Sequence, residues 1–340
     1  MNMYSVGNAV GEAHGKLILV GEHAVVYGQP AIAIPFPLKI RAQVRKSIGE
    51  ITISSLLYTG KMEGMPSEMN GISECIKNAC MHLNKPLKDL HITVRSEIPL
   101  GRGLGSSAAV AIAIVRGIFL YFNMTPTKEE LFSLVEISEA HAHGKPSGID
   151  MMAVASDSPI YFKRQEGACS FIAPKPFYMV VADSGKIGDT RRAVEKVKKN
   201  HLADSESIDA VVIRIGEITD KAREAIVRGE LRTLGTLLYI NHEELKILGV
   251  SNKTIDRMVD VAMRAGAIGA KLTGGGMGGC IVALADTMAD AEYISKELLK
   301  EGASKAWYFS TEEEKIYESH FYNKGENSWR LLQEQIQILL

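Results

Sequence analysis

Three glycines at alternate positions, Gly101, Gly103 and Gly105, stand between a β-type stretch and an apolar run. Before them, Leu90, Ile92, Val94, Ser96 and Ile98 share one face of an alternating strand that runs into Pro99. After them come Ser106 and Ser107, then an uncharged segment from Ala108 to Val115. Glycine lacks the Cβ that blocks positive φ and close approach, so this spacing lets backbone N–H groups turn toward a ligand. A serine at the start of the following helix caps it, and the unpaired amides and dipole there attract an anion. Two readings fit: a phosphate cradle, or a glycine loop that only caps a core helix. The stretch is not a Walker A loop, because no Gly-Lys-Ser/Thr follows at the required gap. Nor is it a nucleophile elbow, because neither serine lies in Gly-x-Ser-x-Gly.

A chain of 340 residues has room for two domains, each with a sizeable core. The net charge of −1 implies no general attraction to nucleic acid or to acidic membranes. The first residues lack the basic-then-apolar order of a secretion signal, and Arg116 interrupts the longest apolar segment well short of a membrane span. Cys75, Cys80, Cys169 and Cys280 have no metal spacing and read as small buried hydrophobes in a reducing, cytoplasmic setting.

Other stretches gather polar groups at element ends. Leu17 to Val20 reads as a short strand with Lys16 at its mouth, and Gly21, Glu22 and His23 follow it, with Tyr27 before Gly28. Leu38, Ile40, Ala42 and Val44 alternate with Lys39, Arg41, Gln43 and Arg45 as a half-exposed strand, with which residues 51–55 are expected to pair. Positions 72, 75, 76, 79, 80 and 83 fit one helical face. Thr127 and Glu130 fit a capping box for a helix whose apolar face runs through Leu131, Leu134 and Val135 to Ser138, Glu139 and Ala142. A carboxylate at Glu139 is costly there unless it is paired or bound to a metal. His141 and His143, two residues apart, do not share a helix face and read as non-ligands. Asp150 follows a Pro-Ser-Gly turn and is either a helix-start cap or a functional carboxylate.

In the second half, a strand over residues 177–183 leads to a glycine loop with Thr190 and Arg191 at a helix start, suited to an anionic group. Helices are expected at about 208–227, 231–248, 252–265 and 289–299, with a strand at 306–310. Residues 271–284 contain a formal Gly-x-Gly-x-x-Gly at 274, 276 and 279, but a strand follows where a dinucleotide site needs a helix. Five glycines in the six residues 274–279 still bring backbone close to a ligand or to a neighbouring segment.

Taken together, the segments 16–35, 99–109 and 271–280 resemble, in order, the three motifs of the GHMP kinase superfamily, and specifically its bacterial-type mevalonate kinases. Pro146 to Asp150, and Asn241-His242 through Ser251, resemble the family as well, and coverage runs over about residues 7–310. Gly21-Glu-His-Ala-Val-Val-Tyr-Gly28 points to mevalonate kinases within it.

The resemblance implies a two-domain α+β GHMP kinase fold. Residues 1–180 would form a ribosomal protein S5 domain 2-like N-terminal domain and 181–310 a ferredoxin-like C-terminal domain, leaving 311–340 as a tail without a functional reading. It also implies transfer of phosphate from ATP, with Mg²⁺, to the C5 hydroxyl of mevalonate. Asp150 then matches the catalytic carboxylate, and Lys16 the lysine that meets it and the reacting hydroxyl. Ser107 and Glu139 match the magnesium ligands. Glu22, His23 and Thr190 fall where the family binds mevalonate or orders its site. Gly101, Gly103, Leu104, Gly105, Ser106 and Ser107, with Gly275 and Gly276, match the nucleotide-binding loops. Dimers are common in the family, which leaves a homodimer open.

Three positions depart from the family pattern: His14 stands where proline is common, and Gly275 and Met277 vary the third motif. Another superfamily kinase, a diphosphomevalonate decarboxylase and a silent nucleotide or isoprenoid sensor remain as alternatives.

Overall fold

The computed structural model describes residues 9–143, 148–312 and 315–320, and for 139–143 the backbone alone. Two antiparallel-dominated sheets organise these residues, one in each half of the chain. The first contains β1 (Ala9–Val20), β2 (Ala31–Lys46), β3 (Thr52–Ser54), β4 (Thr59–Lys61), β5 (Leu90–Ser96), β6 (Ile160–Lys163) and β7 (Gly167–Ser170). The second runs β12 (Ile316–Ser319), β11 (Lys305–Ser310), β8 (Tyr178–Asp183), β10 (Cys280–Ala285) and β9 (Gly269–Thr273).

Pairing extends strands beyond their apolar signal. β1 begins at Ala9 rather than Leu17, because β2 hydrogen-bonds to its polar first half, with a register shift between His14 and Gly15. Lys16 therefore lies within the strand, not at its mouth. β3 does not pair with β2 as expected. β5 holds the edge of β2 over Ile40–Lys46, so β3 pairs in parallel with β5 on the far side.

Helix α1 (Asn70–His82) buries Cys75 and Cys80 as its periodicity requires, while Cys169 is exposed on β7, contrary to expectation. The apolar run becomes α2 (Ser106–Tyr121), which packs on β1 and β2 and lies against α1 and α3 (Lys128–His143). It is covered on nearly every side, which is why its sequence shows no polar face. The capping box forms at α3: Thr127 N–H donates to Glu130 at 2.8 Å, and Glu130 N–H to Thr127 Oγ1 at 3.2 Å. The short α4 (Ile149–Val154) carries Asp150 in its first turn.

Helices α5 (Thr190–Ala203), α6 (Ser205–Arg228), α7 (Leu231–Leu248), α8 (Lys253–Arg264) and α9 (Met288–Lys300) complete the second half. α7 lies on β9, α8 on β9 and β10, and α9 across β11, β8 and β10. Residues 316–319, placed in the tail by sequence, add an edge strand to the second sheet through β11. Only Ser319 of that short segment is buried, so its strand character comes from pairing with β11 and leaves no apolar alternation for sequence to show. Among the described residues, no helix is long and apolar enough to cross a membrane.

Candidate active site

Three glycine-rich loops meet between the two sheets. The loop before α2 is tied to the loop after β8 by Gly188 N–H donating to the Gly101 carbonyl at 2.9 Å. That second loop is tied to the loop after β9, where Gly279 N–H reaches the Lys186 carbonyl at 2.8 Å and Ser184 N–H the Gly279 carbonyl at 3.0 Å. A Cβ on Gly274 would lie 2.9 Å from Gly103 Cα, so backbone packs on backbone without room for a side chain. The glycines of 274–279 thus answer to a neighbouring segment. A Cβ on Gly275 would meet Thr190 Oγ1 at 2.4 Å, and one on Gly276 the Val250 carbonyl at 2.3 Å.

Between the first two loops lies a cleft of about 450 Å³, lined by Gly101, Gly103, Gly105, Ser106, Ser107, Asp150, Thr190 and neighbouring residues including Arg191. The residue at the α2 N-cap is Gly105, at φ 78°, and no side chain caps the helix. This corrects the expectation of a serine cap. Gly105 takes the left-handed conformation, which places Ser106 and Ser107 in the first turn facing the cleft and leaves the leading amides for an outside acceptor. Leu104 does not line the cleft: its side chain is buried in the core and its carbonyl accepts from Lys16 N–H at 3.0 Å. Gly275 and Gly276 also lie outside the cleft wall.

Asp150 caps nothing. Its Oδ1 stands 2.8 Å from Lys16 Nζ, with the lysine almost fully buried and the carboxylate one-third exposed to the cleft. The Lys16 stem is confined by the glycine loop, since a Cβ on Gly105 would come within 2.8 Å of its Cγ.

Glu22 and His23, just beyond β1, do not line this cleft. Glu22 is buried against Lys271, whose Nζ donates to Glu22 Oε1. Burial pushes the Glu22 carboxyl up and the Lys271 ammonium down, and each partner's charge opposes the other's shift. His23 Nε2 donates to the Gly275 carbonyl at 2.9 Å, and burial lowers its pKa to about 4, so the ring is neutral. Thr190, at the first turn of α5, lines the cleft itself. Glu139 lies on α3, but its side chain falls outside the described residues, as do those of His141 and His143.

Two participants received no role from sequence. Arg102 Nε pairs with Asp183 at the end of β8 at 2.9 Å, both largely buried, and fastens the first glycine loop to the second sheet. Lys271 stands fully buried in β9. A lone lysine in the apolar run Gly269–Thr273 is the signal that flags it; an arginine between two glycines gives none.

An uncapped helix start, a glycine-rich loop and a carboxylate backed by a buried ammonium meet at one cleft, an arrangement suited to an anionic ligand held beside a proton acceptor. The models of the "GHMP kinases N terminal domain" and "GHMP kinases C terminal" match residues 70–157 and 222–304. The chain is 36% identical over 296 residues to the mevalonate kinase of Thermococcus sibiricus, spanning 80% of this chain and 88% of that one. A crystal structure of L. major mevalonate kinase in complex with R-mevalonate superposes with a TM-score of 0.76 at 27% identity, covering 92% of this chain and 94% of that one. The mevalonate kinase of Staphylococcus aureus MRSA252 gives 0.67 at 31% identity, covering 89% and 98%. The chain belongs to the mevalonate kinase family of the GHMP kinases.

Proposed function

We propose that this protein phosphorylates the C5 hydroxyl of mevalonate with ATP, giving 5-phosphomevalonate and ADP, a step in making isoprenoid precursors. The observation that carries the reading is the Lys16–Asp150 pair at 2.8 Å beside the glycine cradle. Phosphoryl transfer needs positioning and charge stabilisation more than covalent chemistry. Asp150 accepts the proton of the primary hydroxyl, and Lys16 orients the carboxylate and stabilises the developing alkoxide. The amides of the loop and of the first turn of α2 hold the phosphates.

The residues present suit a magnesium nucleotide. The first turn of α2 has no acidic residue, and the Ser107 hydroxyl lines the cleft as a hard oxygen donor. Ser107, with Glu139, would hold Mg²⁺, which when bound neutralises phosphate charge. A second cleft of about 450 Å³ shares Ser106 and Ser107 with the first and is walled by Ile53, Leu56, Met69, Ile72 and Val94. Its apolar walls and continuity with the phosphate cradle suit the adenine base.

Among the described residues that line the first cleft, Arg191 is the single basic one. One guanidinium suits the lone carboxylate of mevalonate, whereas a decarboxylase acting on diphosphomevalonate would gather more. The four unpaired cysteines suit a reducing compartment, and we place the reaction in the cytoplasm. ADP release measured with mevalonate, phosphomevalonate, diphosphomevalonate, galactose and homoserine tests the reading. Mevalonate should stand alone as the efficient acceptor; a preference for any other alcohol, or no stimulation by any of them, overturns it.

A further inference from the structure

Lys271 has no part in the reaction as described, yet it is one of the largest fully buried side chains in the molecule. It donates to Glu22 and, at 2.6 Å, to the Leu272 carbonyl. Removing two ions from water costs several kcal/mol each, and a buried pair is often no more stable than the apolar residues that could replace it. A buried pair beside the reacting groups therefore calls for a reason other than stability.

The reason lies in what surrounds Lys16. Glu22 stands just past Gly21 at the end of β1, the strand that carries Lys16, and the charge of Lys16 acts on both Glu22 and Lys271. Glu22 Oε2 is buried without a hydrogen-bond partner. Asp150 and Glu22 are thus two carboxylates within the field of the Lys16 ammonium: Asp150 holds it at 2.8 Å, and Lys271 engages Glu22. We propose that Lys271 is a positioning residue: by occupying Glu22 it keeps the Lys16 ammonium committed to Asp150. The proposal rests on the reading of Lys16 and Asp150 as the reacting pair.

The other titratable neighbours do not change this balance. His23 is neutral and bonded to the Gly275 carbonyl. His242 of α7, also neutral with a pKa lowered by burial to about 4, accepts from Leu272 N–H at 3.4 Å through Nδ1. Its Nε2 faces Asp256 of α8 at 3.3 Å, and Asp256 is partly exposed and takes a bond from Ser251. Four other ionisable groups make up the cluster: Asp150, Lys16, Glu22 and Lys271. Without Lys271, an ionised Glu22 draws Lys16 away from Asp150, while a protonated Glu22 does not. The loss must therefore grow with pH.

The test compares the parent with K271M, K271R, E22Q and E22Q/K271M in mevalonate phosphorylation, following kcat and the KM for ATP from about pH 6 to about pH 9. K271M should lose at least about tenfold in kcat at the alkaline end and less at the acid end, with the ATP KM within about twofold. K271R, which keeps the cation, should recover most of kcat. Adding K271M to E22Q should cost little further, because the effect of Lys271 runs through Glu22. That comparison also decides the matter if K271M alone does not fold, since the double variant buries no uncompensated charge. A K271M loss that is equal at every pH, or equally large in the E22Q background, overturns the proposal. Should the parent prefer another alcohol, the same series on that alcohol still tests Lys271, so the two readings fail separately.

Discussion

Lys16 Nζ and Asp150 Oδ1 stand 2.8 Å apart, joining the middle of the first strand to the first turn of a helix that begins at Ile149. Each group makes the other usable: the carboxylate faces the cleft, and the ammonium behind it is held by packing rather than by solvent. If this pair performs proton transfer, Asp150→Ala should fold normally and lose about 10²–10⁴ in kcat. Adding Lys16→Met to it should cost much less than the same change in the parent, because residues that act as a unit are not additive. Steady-state ADP release with circular dichroism as the folding control checks both. A folded Asp150→Ala protein with near-parental kcat would remove Asp150 from the role.

The Arg102–Asp183 pair, 2.9 Å apart and largely buried, fastens the first glycine loop to the second sheet. Arg102→Ala leaves Asp183 buried without its cation, a change that typically costs about 3–5 kcal/mol. Urea unfolding should show that loss, and the KM for ATP should rise more than kcat falls. An unchanged KM would show that the loop holds its shape without this anchor.

Gly105 combines φ 78° with a Lys16 Cγ only 2.8 Å from where a Cβ would sit. Gly105→Ala should therefore cost roughly 1–3 kcal/mol in strain. It should also push Lys16 off Asp150, so that kcat falls beyond what the stability loss explains. Equal activity per folded molecule would contradict this.

His242 is almost fully buried and neutral, with a pKa lowered from 6.5 to about 4 by desolvation. The unfolded chain binds a proton at higher pH than the native one, so the unfolded state gains as pH falls from about 6.5 toward about 4. This residue's share of stability is full above that window and lost across it, on the order of 3 kcal/mol by linkage. Urea midpoints between pH 7 and pH 4 should fall, and His242→Gln should flatten part of the slope. A slope identical in the variant would assign the pH dependence to other groups.

Much of the local structure was legible because its causes are local. The capping box at Thr127 and Glu130, the helical face through Cys75 and Cys80, and the strand that follows Gly279 all form where the pattern places them. The glycine spacing at 101, 103 and 105 already marks a loop of positive-φ backbone, because it depends only on the freedom of a backbone without Cβ. Two local expectations fail, one for a local cause and one for a partner elsewhere in the chain. The serine cap was displaced because Gly105, not a serine, takes the N-cap position. The first half of β1 was missed because a strand held by its partner needs no apolar signal of its own.

The sequence by itself determined the glycine loop, most of the helices and strands around it and the set of ionisable residues available to the chemistry. Only the tertiary structure decided which of those charges meet. Glu22 and Lys271 are 249 residues apart, Arg102 reaches Asp183 across two loops, and Lys16 finds Asp150 from another element altogether. No sequence pattern records such partners, because an ion pair is selected by which groups are buried together, and burial is a property of the packed chain.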